Sequence, residues 1–309
     1  MQIRKTFKPA MVLMLALLLT NGCASRAAQD ETSSAASGNK LPDAALDLPD
    51  KSVNTTTDNS DNANSNAALG SKPDEQSSPP TAKPAVSAPK KLYKMNKVYS
   101  FVPIHKGETS ENVVLLTFDD GPKEDEMISS LLDTLDKHKA KAVFFVNGYR
   151  VKRHPELLKK IADRGQTIGN HSWDHIDLKK EKGAVVKKQI GDVQEIVKKV
   201  TGKEPVFFRP PFGSGNDSVK SIVRGYDMLY MTWSDGSLDW DKSTKDKPDK
   251  VIANVLEQLH PGVNILMHEL PWTTKALDTL LTKLESKGYG FIDPATIDPA
   301  PLPNAQNAK

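Results

Sequence analysis

The stretch Val113-Val114-Leu115-Leu116-Thr117-Phe118-Asp119-Asp120-Gly121-Pro122 decides the fold. Its first six residues are apolar or β-branched without interruption, and the run is short for a helix. Such a run reads as a strand buried on both faces, the pattern of a parallel sheet covered by helices. It stops in two adjacent carboxylates and a Gly-Pro turn, so polar chemistry begins where the strand ends.

Working outward, the same unit repeats. Short apolar runs predict further strands at 142–146, 167–170, 206–208, 228–233, 263–267 and 290–293. Between them lie helical patterns over 124–138, 155–164, 183–200, 219–224, 248–259 and 274–287. The first of these carries Met127, Leu131, Leu132 and Leu135 at helical spacing. The second has Pro155 in its first turn and Gly165 at its end. Repeated β-α units imply a parallel sheet, either an open doubly wound one or a barrel. Each polar motif falls at or just after a strand's C-terminal end, where (β/α) barrels build active sites. Seven units rather than eight fit a distorted, partly open barrel.

Three motifs carry chemistry. Asp119-Asp120 supplies two carboxylates that leave the strand in different directions, so one can bind a metal while the other faces its water. His171-Ser172-Trp173-Asp174-His175 supplies two imidazoles four residues apart, able to reach one ion. Two His and one Asp are usual ligands of a hydrolytic zinc site with open positions. Arg209-Pro210-Pro211-Phe212-Gly213 supplies a permanent cation, the natural partner of a carboxylate that must stay ionised. Its two prolines fix the backbone so that a following N–H can point into a site. Asp174 has two open roles, orienting a histidine through a hydrogen bond or capping a helix. Trp173 is expected to pack, and so are Trp233 and Trp272, with stacking on a sugar face as the alternative. His105, His138, His154 and His260 have no pattern around them.

Together with Ser237-Leu238-Asp239-Trp240 and Ile265-Leu266-Met267-His268, these stretches form five ordered motifs over 117–268. In that order they resemble the polysaccharide deacetylase family (carbohydrate esterase family 4, the NodB-homology domain), over roughly residues 92 to 297. The resemblance implies a distorted (β/α)7 barrel of TIM-like, NodB-homology type. It implies a metal held by Asp120, His171 and His175: one divalent ion, Zn2+ first, with Co2+, Ni2+ or Mn2+ as alternatives. It implies Asp119 as general base paired with Arg209, and His268 as general acid whose proton affinity Asp239 raises. Phe212 stands where the family usually has Tyr. The role implied there, with Pro211 before it, belongs to the backbone amide at the oxyanion, which Phe keeps while losing a phenolic hydroxyl. Leu266 and Trp240 would wall the pocket for an acetyl methyl group.

The whole chain of 309 residues carries 42 basic and 39 acidic side chains, a net charge of +3. A balance this small and mixed excludes a nucleic-acid footprint. Arg4, Lys5 and Lys8 precede an apolar run at 10–20, shorter than the ~20 residues a membrane span needs. Residues 1–22 therefore read as a signal peptide. Cys23, the sole cysteine, follows Gly22 and resembles a lipoprotein cleavage site, with an ordinary secreted protein as the alternative. Residues 23–91 form the lipidated Cys and a polar tether, rich in Ala, Ser, Asn, Asp, Pro and Lys and too poor in large apolar groups to fold. A chain of that length reaches ~50 Å. Residues 92–297 are the catalytic domain and 298–309 a flexible tail.

The expected activity is metal-dependent removal of N-acetyl groups from N-acetylglucosamine units of an envelope polysaccharide, peptidoglycan or chitin-like oligomers. The expected protein is monomeric, extracytoplasmic and anchored to the cell membrane through lipid. Relatives acting on muramic acid often carry Asn where this chain has Asp120, an argument against that branch. Two alternatives stand beside this expectation: an O-acetyl esterase of the xylan type using the same site, and a catalytically silent wall-binding lipoprotein.

Overall fold

A computed structural model describes residues 89–300. The signal peptide, Cys23, nearly all of the tether and most of the tail lie outside the described residues. Among the described residues no helix is long and apolar enough to cross a membrane.

A short antiparallel hairpin comes first, β1 (Tyr93–Met95) with β2 (Phe101–Pro103). Then follow β3 (Val113–Gly121), α1 (Asp125–Lys137), β4 (Ala142–Val146), α2 (Gly148–Arg153), α3 (Pro155–Asp163) and β5 (Thr167–Asn170). After these come α4 (Gly183–Thr201), β6 (Phe207–Phe208), α5 (Asp217–Arg224), β7 (Leu229–Tyr230) and β8 (Asp235–Gly236). The last elements are α6 (Pro248–Gln258), β9 (Val263–His268), α7 (Pro271–Ser286) and β10 (Gly290–Phe291).

All strands after the hairpin pair in parallel, in the order β7-β6-β5-β4-β3-β9-β8, with β10 beside the start of β3. The two strands at the ends of this order, β7 and β8, are consecutive in the chain. Met231 N–H still donates to Phe208 O (2.9 Å) on the β6 side, and Ser234 N–H already donates to Asn264 O (3.1 Å) on β9. Thr232 and Trp233 therefore cross the open seam, and the sheet curls into a distorted barrel with no ladder at that gap. The strand expected over 228–233 is thus shortened to β7, and β8 lies beyond it as a strand the sequence did not suggest. The apolar run 228–231 looked continuous, but backbone partners on one side end at Met231.

Alternation along each strand sorts the side chains. Val114, Leu116 and Phe118 of β3, Phe144 and Val146 of β4, and Val263, Ile265 and Met267 of β9 pack with the helices in one large core. Leu115, Val143, Phe145, Phe207, Leu229 and Met231 pack with Tyr93, Met95 and Phe101 in a second core inside the barrel. The hairpin closes the lower end. It lies so close that a Cβ on Gly262, at φ +73°, would sit 1.8 Å from Phe101 O. Neither the hairpin nor α2 was expected, because their apolar residues are too few to show a period. Gly202, in the left-handed region at φ 78°, ends α4 as a C-cap.

Asp235 is fully buried and neither carboxylate oxygen has a hydrogen-bond partner. Burial pushes its pKa up to about 8. A folded-state acid pKa above the unfolded value means that the unfolded chain holds fewer protons between about pH 4 and pH 8. This group's contribution to stability is complete below pH 4 and falls as pH rises through 8. Asp235→Asn is expected to match the native chain at pH 5 and to exceed it by about 1–4 kcal/mol at pH 9 in urea melts. Parallel pH profiles of the two proteins would contradict this.

Candidate active site

The inner face of β3 reads Val113, Leu115, Thr117, Asp119, so the alternation that fills the barrel with apolar groups ends in a hydroxyl and a carboxylate. On β9 it reads Asn264, Leu266, His268. On β6 it runs from Phe207 to Arg209. Three strands thus deliver Asp119, Arg209 and His268 to the same end of the barrel.

Arg209 is the largest fully buried side chain among the described residues. Its Nη1 donates to Asp119 Oδ1 (2.7 Å) and Thr117 Oγ1 (2.7 Å), and its Nη2 to Asn264 Oδ1 (3.0 Å) and Thr232 O (2.8 Å). The guanidinium lies 4.4 Å over the Phe145 ring centroid. Burial lowers its pKa and Asp119 opposes that shift; an arginine stays protonated regardless. Asp119 is therefore held by one oxygen. The other, Oδ2, faces His171 Nε2 at 3.7 Å.

Asp120, His171 and His175 each bring one ligand atom into a group lying within 4.8 Å of one another. Asp120 Oδ1 is 3.2 Å from His175 Nε2 and 3.5 Å from His171 Nε2. Two ligands about 2.0–2.1 Å from one tetrahedral ion lie roughly 3.4 Å apart, so the spacing fits zinc. The donors fit too. His171 Nδ1 lies 2.7 Å from Arg209 O, an acceptor, so Nδ1 carries the proton and Nε2 keeps its lone pair. Asp120 Oδ1 is buried without a hydrogen-bond partner. Burial alone would raise the Asp120 pKa, but His171, His268 and His175 outweigh it and hold the carboxyl well below its usual range. Burial lowers the His175 pKa against the pull of Asp120, which favours the neutral imidazole a cation requires.

His268 Nδ1 lies 2.7 Å from Asp239 Oδ1, an acceptor, and so donates to it. Asp239 is fixed in turn: its Oδ2 accepts from His268 N–H (2.7 Å) and Thr273 Oγ1 (2.6 Å), and Trp272 Nε1 donates to its carbonyl (2.7 Å). Burial disfavours the imidazolium, but the bond and charge of Asp239 outweigh it, and the His268 pKa is raised.

A cavity of about 390 Å³ unites these groups, lined by Asp119, Asp120, His171, His175, Pro210, Phe212, Gly213, Trp233, Trp240, Leu266 and His268. Pro210 stands on the wall where Pro211 was expected. Pro211 is buried, and its carbonyl closes the 3-10 turn over Pro211–Gly213 by accepting from Ser214 N–H. Phe212, at φ 60°, is 66% exposed, with its ring edge-on to His175 at 4.7 Å. Trp240 is edge-on to His268 at 5.3 Å and Leu266 is buried.

Five of the nine non-glycine residues with positive φ among the described residues lie in these loops: Asp120, Ser172, His175, Phe212 and Leu238. Strained backbone of this kind persists only where tertiary contacts hold it. Asn147, absent from the expected site, supplies several. Its N–H donates to Gly121 O (2.9 Å) and its Nδ2 to His171 O (2.9 Å), joining the two ligand loops. Asn170 Oδ1 accepts from Ser172 N–H (3.0 Å). Asp174 takes neither of its expected roles and forms a reciprocal pair with Gln189 (2.7 and 2.8 Å). Trp173 packs as expected, over Gly148. Three of the four histidines given no role are engaged elsewhere: His138 with Asp278, His154 with Glu156 and His260 with Ser100.

Comparison with known proteins agrees with this geometry. Residues 106–231 match the family model described as polysaccharide deacetylase. The chain is 34% identical over 189 residues to the peptidoglycan-N-acetylmuramic acid deacetylase PdaA of Bacillus subtilis, covering 60% of this chain and 71% of that one. It is 38% identical over 197 residues to the peptidoglycan-N-acetylglucosamine deacetylase PgdA of Listeria monocytogenes, covering 63% of this chain and 40% of that one. The chain thus spans under half the length of PgdA. Among solved structures, a CE4 family pseudoenzyme from Bacillus anthracis superposes with a TM-score of 0.57 at 32% identity, covering 62% of this chain and 67% of that one.

Arg209→Leu leaves Asp119 buried without its cation. The expected loss is about 3–5 kcal/mol in urea unfolding. A loss below about 1 kcal/mol would show that other groups hold Asp119.

Proposed function

The chain belongs to the polysaccharide deacetylase family, and from that premise we propose that it is a metal-dependent hydrolase removing N-acetyl groups from N-acetylglucosamine units of a cell-wall polysaccharide. One observation carries this reading: a single cavity holds an Asp-His-His cluster, a carboxylate tied to arginine and an imidazole tied to a carboxylate. Those are the parts that amide hydrolysis needs, since the carbonyl is weakly electrophilic and the amine leaves poorly.

Asp120, His171 and His175 would hold the ion. Bound there, a divalent ion polarises the carbonyl and lowers the pKa of water from 15.7 toward about 7. Asp119 takes a proton from the attacking water through Oδ2, the oxygen that Arg209 leaves free. The Phe212 N–H would meet the developing oxyanion, a contact of the kind worth about 3–4 kcal/mol. His268 gives the Nε2 proton to the departing nitrogen, and its raised pKa keeps that proton available at a higher pH than a free imidazole would. Trp240 and Leu266 receive the acetyl methyl group. Acetate and a free amino sugar leave.

The relatives' names, peptidoglycan N-acetylmuramic acid and N-acetylglucosamine deacetylases, support the cell wall as the location of the substrate. An extracytoplasmic protein anchored through Cys23, with residues 24–91 as tether, would meet that substrate. A second reading has a specific observation behind it. The similarity to a pseudoenzyme means that fold alone does not carry activity, and a silent wall-binding protein would share it. The complete set of chemical groups favours the enzyme.

The deciding experiment measures acetate released by the full chain from N-acetylglucosamine oligomers, peptidoglycan and acetylated xylan. It is run after chelation and again with zinc, cobalt or manganese restored. Release from the N-acetylated substrates is expected to vanish on chelation and return with metal. Asp119→Asn and His268→Ala are each expected to lower kcat by about 10²–10⁴-fold with metal still bound. Release from xylan alone would turn the reading to an esterase, and none from any substrate to the binding protein.

A further inference from the structure

Glu269 follows the general acid directly, yet its side chain reaches the other half of the site. It is fully buried. Its Oε2 accepts from Lys123 N–H at 2.9 Å, and its Oε1 has no hydrogen-bond partner. The carboxylate lies against Gly121 through Oε1, which a Cβ there would approach to 1.8 Å. Gly121 and Lys123 flank Pro122 in the turn that begins at Asp119-Asp120.

That turn needs support. The β3–β4 register shifts between Asp119 and Gly121, and Asp120 is held at φ 67°. From the β4 side, Asn147 N–H holds Gly121 O. From the β9 side, Glu269 supplies the only acceptor recorded for Lys123 N–H among the described residues. Packing alone does not explain the choice of residue. A leucine would fill the space without the cost of burying a carboxylate, whereas only an acceptor satisfies the amide.

Resting on the function proposed above, we infer that Glu269 is a positioning residue for the reaction. By gripping the Lys123 amide against Gly121, it fixes the turn that aims Asp120 at the two histidines and Asp119 at the water. It also ties that turn to the strand carrying His268, so ligand, base and acid keep one spacing.

The test compares Glu269→Leu, similar in volume and without an acceptor, with Glu269→Gln, which keeps an acceptor oxygen. The readouts are zinc affinity of the full chain by competition with a chromophoric chelator, and kcat and KM on an N-acetylglucosamine pentamer. In Glu269→Leu, zinc Kd is expected to weaken about 10-fold or more and kcat to fall about 10–100-fold, with KM within about 3-fold. Glu269→Gln is expected to recover most of both. Native zinc affinity and kcat in folded Glu269→Leu would overturn the inference, as would a Glu269→Gln as impaired as the leucine variant. Should Glu269→Leu not fold, Gly121→Ala serves, since its methyl displaces the carboxylate; native zinc affinity there would also overturn it. Zinc affinity keeps the two proposals apart. A native chain that binds zinc but releases no acetate refutes the enzyme reading while the affinity series still decides this one.

Discussion

The site depends on one buried cation. Arg209 leaves β6 at the barrel's upper end and is bonded to β3 through Asp119 and Thr117, to β9 through Asn264, and to the seam through the carbonyl of Thr232. It also lies over Phe145 of β4. Burying a guanidinium costs several kcal/mol unless its donors are met; four contacts engage Nη1 and Nη2, and Nε alone has no partner. The seam between β7 and β8 has no backbone ladder. Arg209 and Asn264 both reach Thr232 O there and are bonded to each other across the gap. The group that orients the base thus also helps close the barrel.

Much of this was legible because strand alternation has a period of two and the motifs sit at strand ends. Once Val113–Phe118 is read as a strand buried on both faces, Asp119 must share a face with Leu115. The run ending in His268 must likewise point Leu266 and His268 the same way. The motif spacing offered two histidines and one of two carboxylates to a single ion, and the family resemblance pointed to Asp120, which lies with His171 and His175. The long helices carried strong apolar periodicity, and Gly183–Thr201 came out within one residue of its expected end.

What escaped the sequence shares a physical character. Asn147, Thr117, Asn264, Thr273 and Glu269 act through hydrogen bonds to partners 24 to 148 positions away, and no local period marks such a pairing. Asp174 looked functional because it stands between two histidines, but its side chain turns away to Gln189 on α4. The hairpin, α2 and β8 are too short for a pattern to rise above composition. Pro210 and Pro211 exchanged places because a 3-10 turn rotates the second proline inward.

Electrostatic pairing distinguishes one carboxylate from the rest. Asp119 has Arg209, and Asp239 has His268 with a hydroxyl and an amide besides. Glu269 has the Lys123 amide, with its pKa pushed up to about 7 by burial against the pull of the Lys123 charge. Asp120 faces two imidazoles, and the Nε2 of His171 is a lone pair because its Nδ1 proton is committed to Arg209 O. Arg209 thus acts twice, through its guanidinium on the base and through its carbonyl on a metal ligand. An anion faced by such lone pairs is complemented by a cation and poorly by a proton. The fold spends the one buried arginine among the described residues on keeping the base's charge separate from that arrangement.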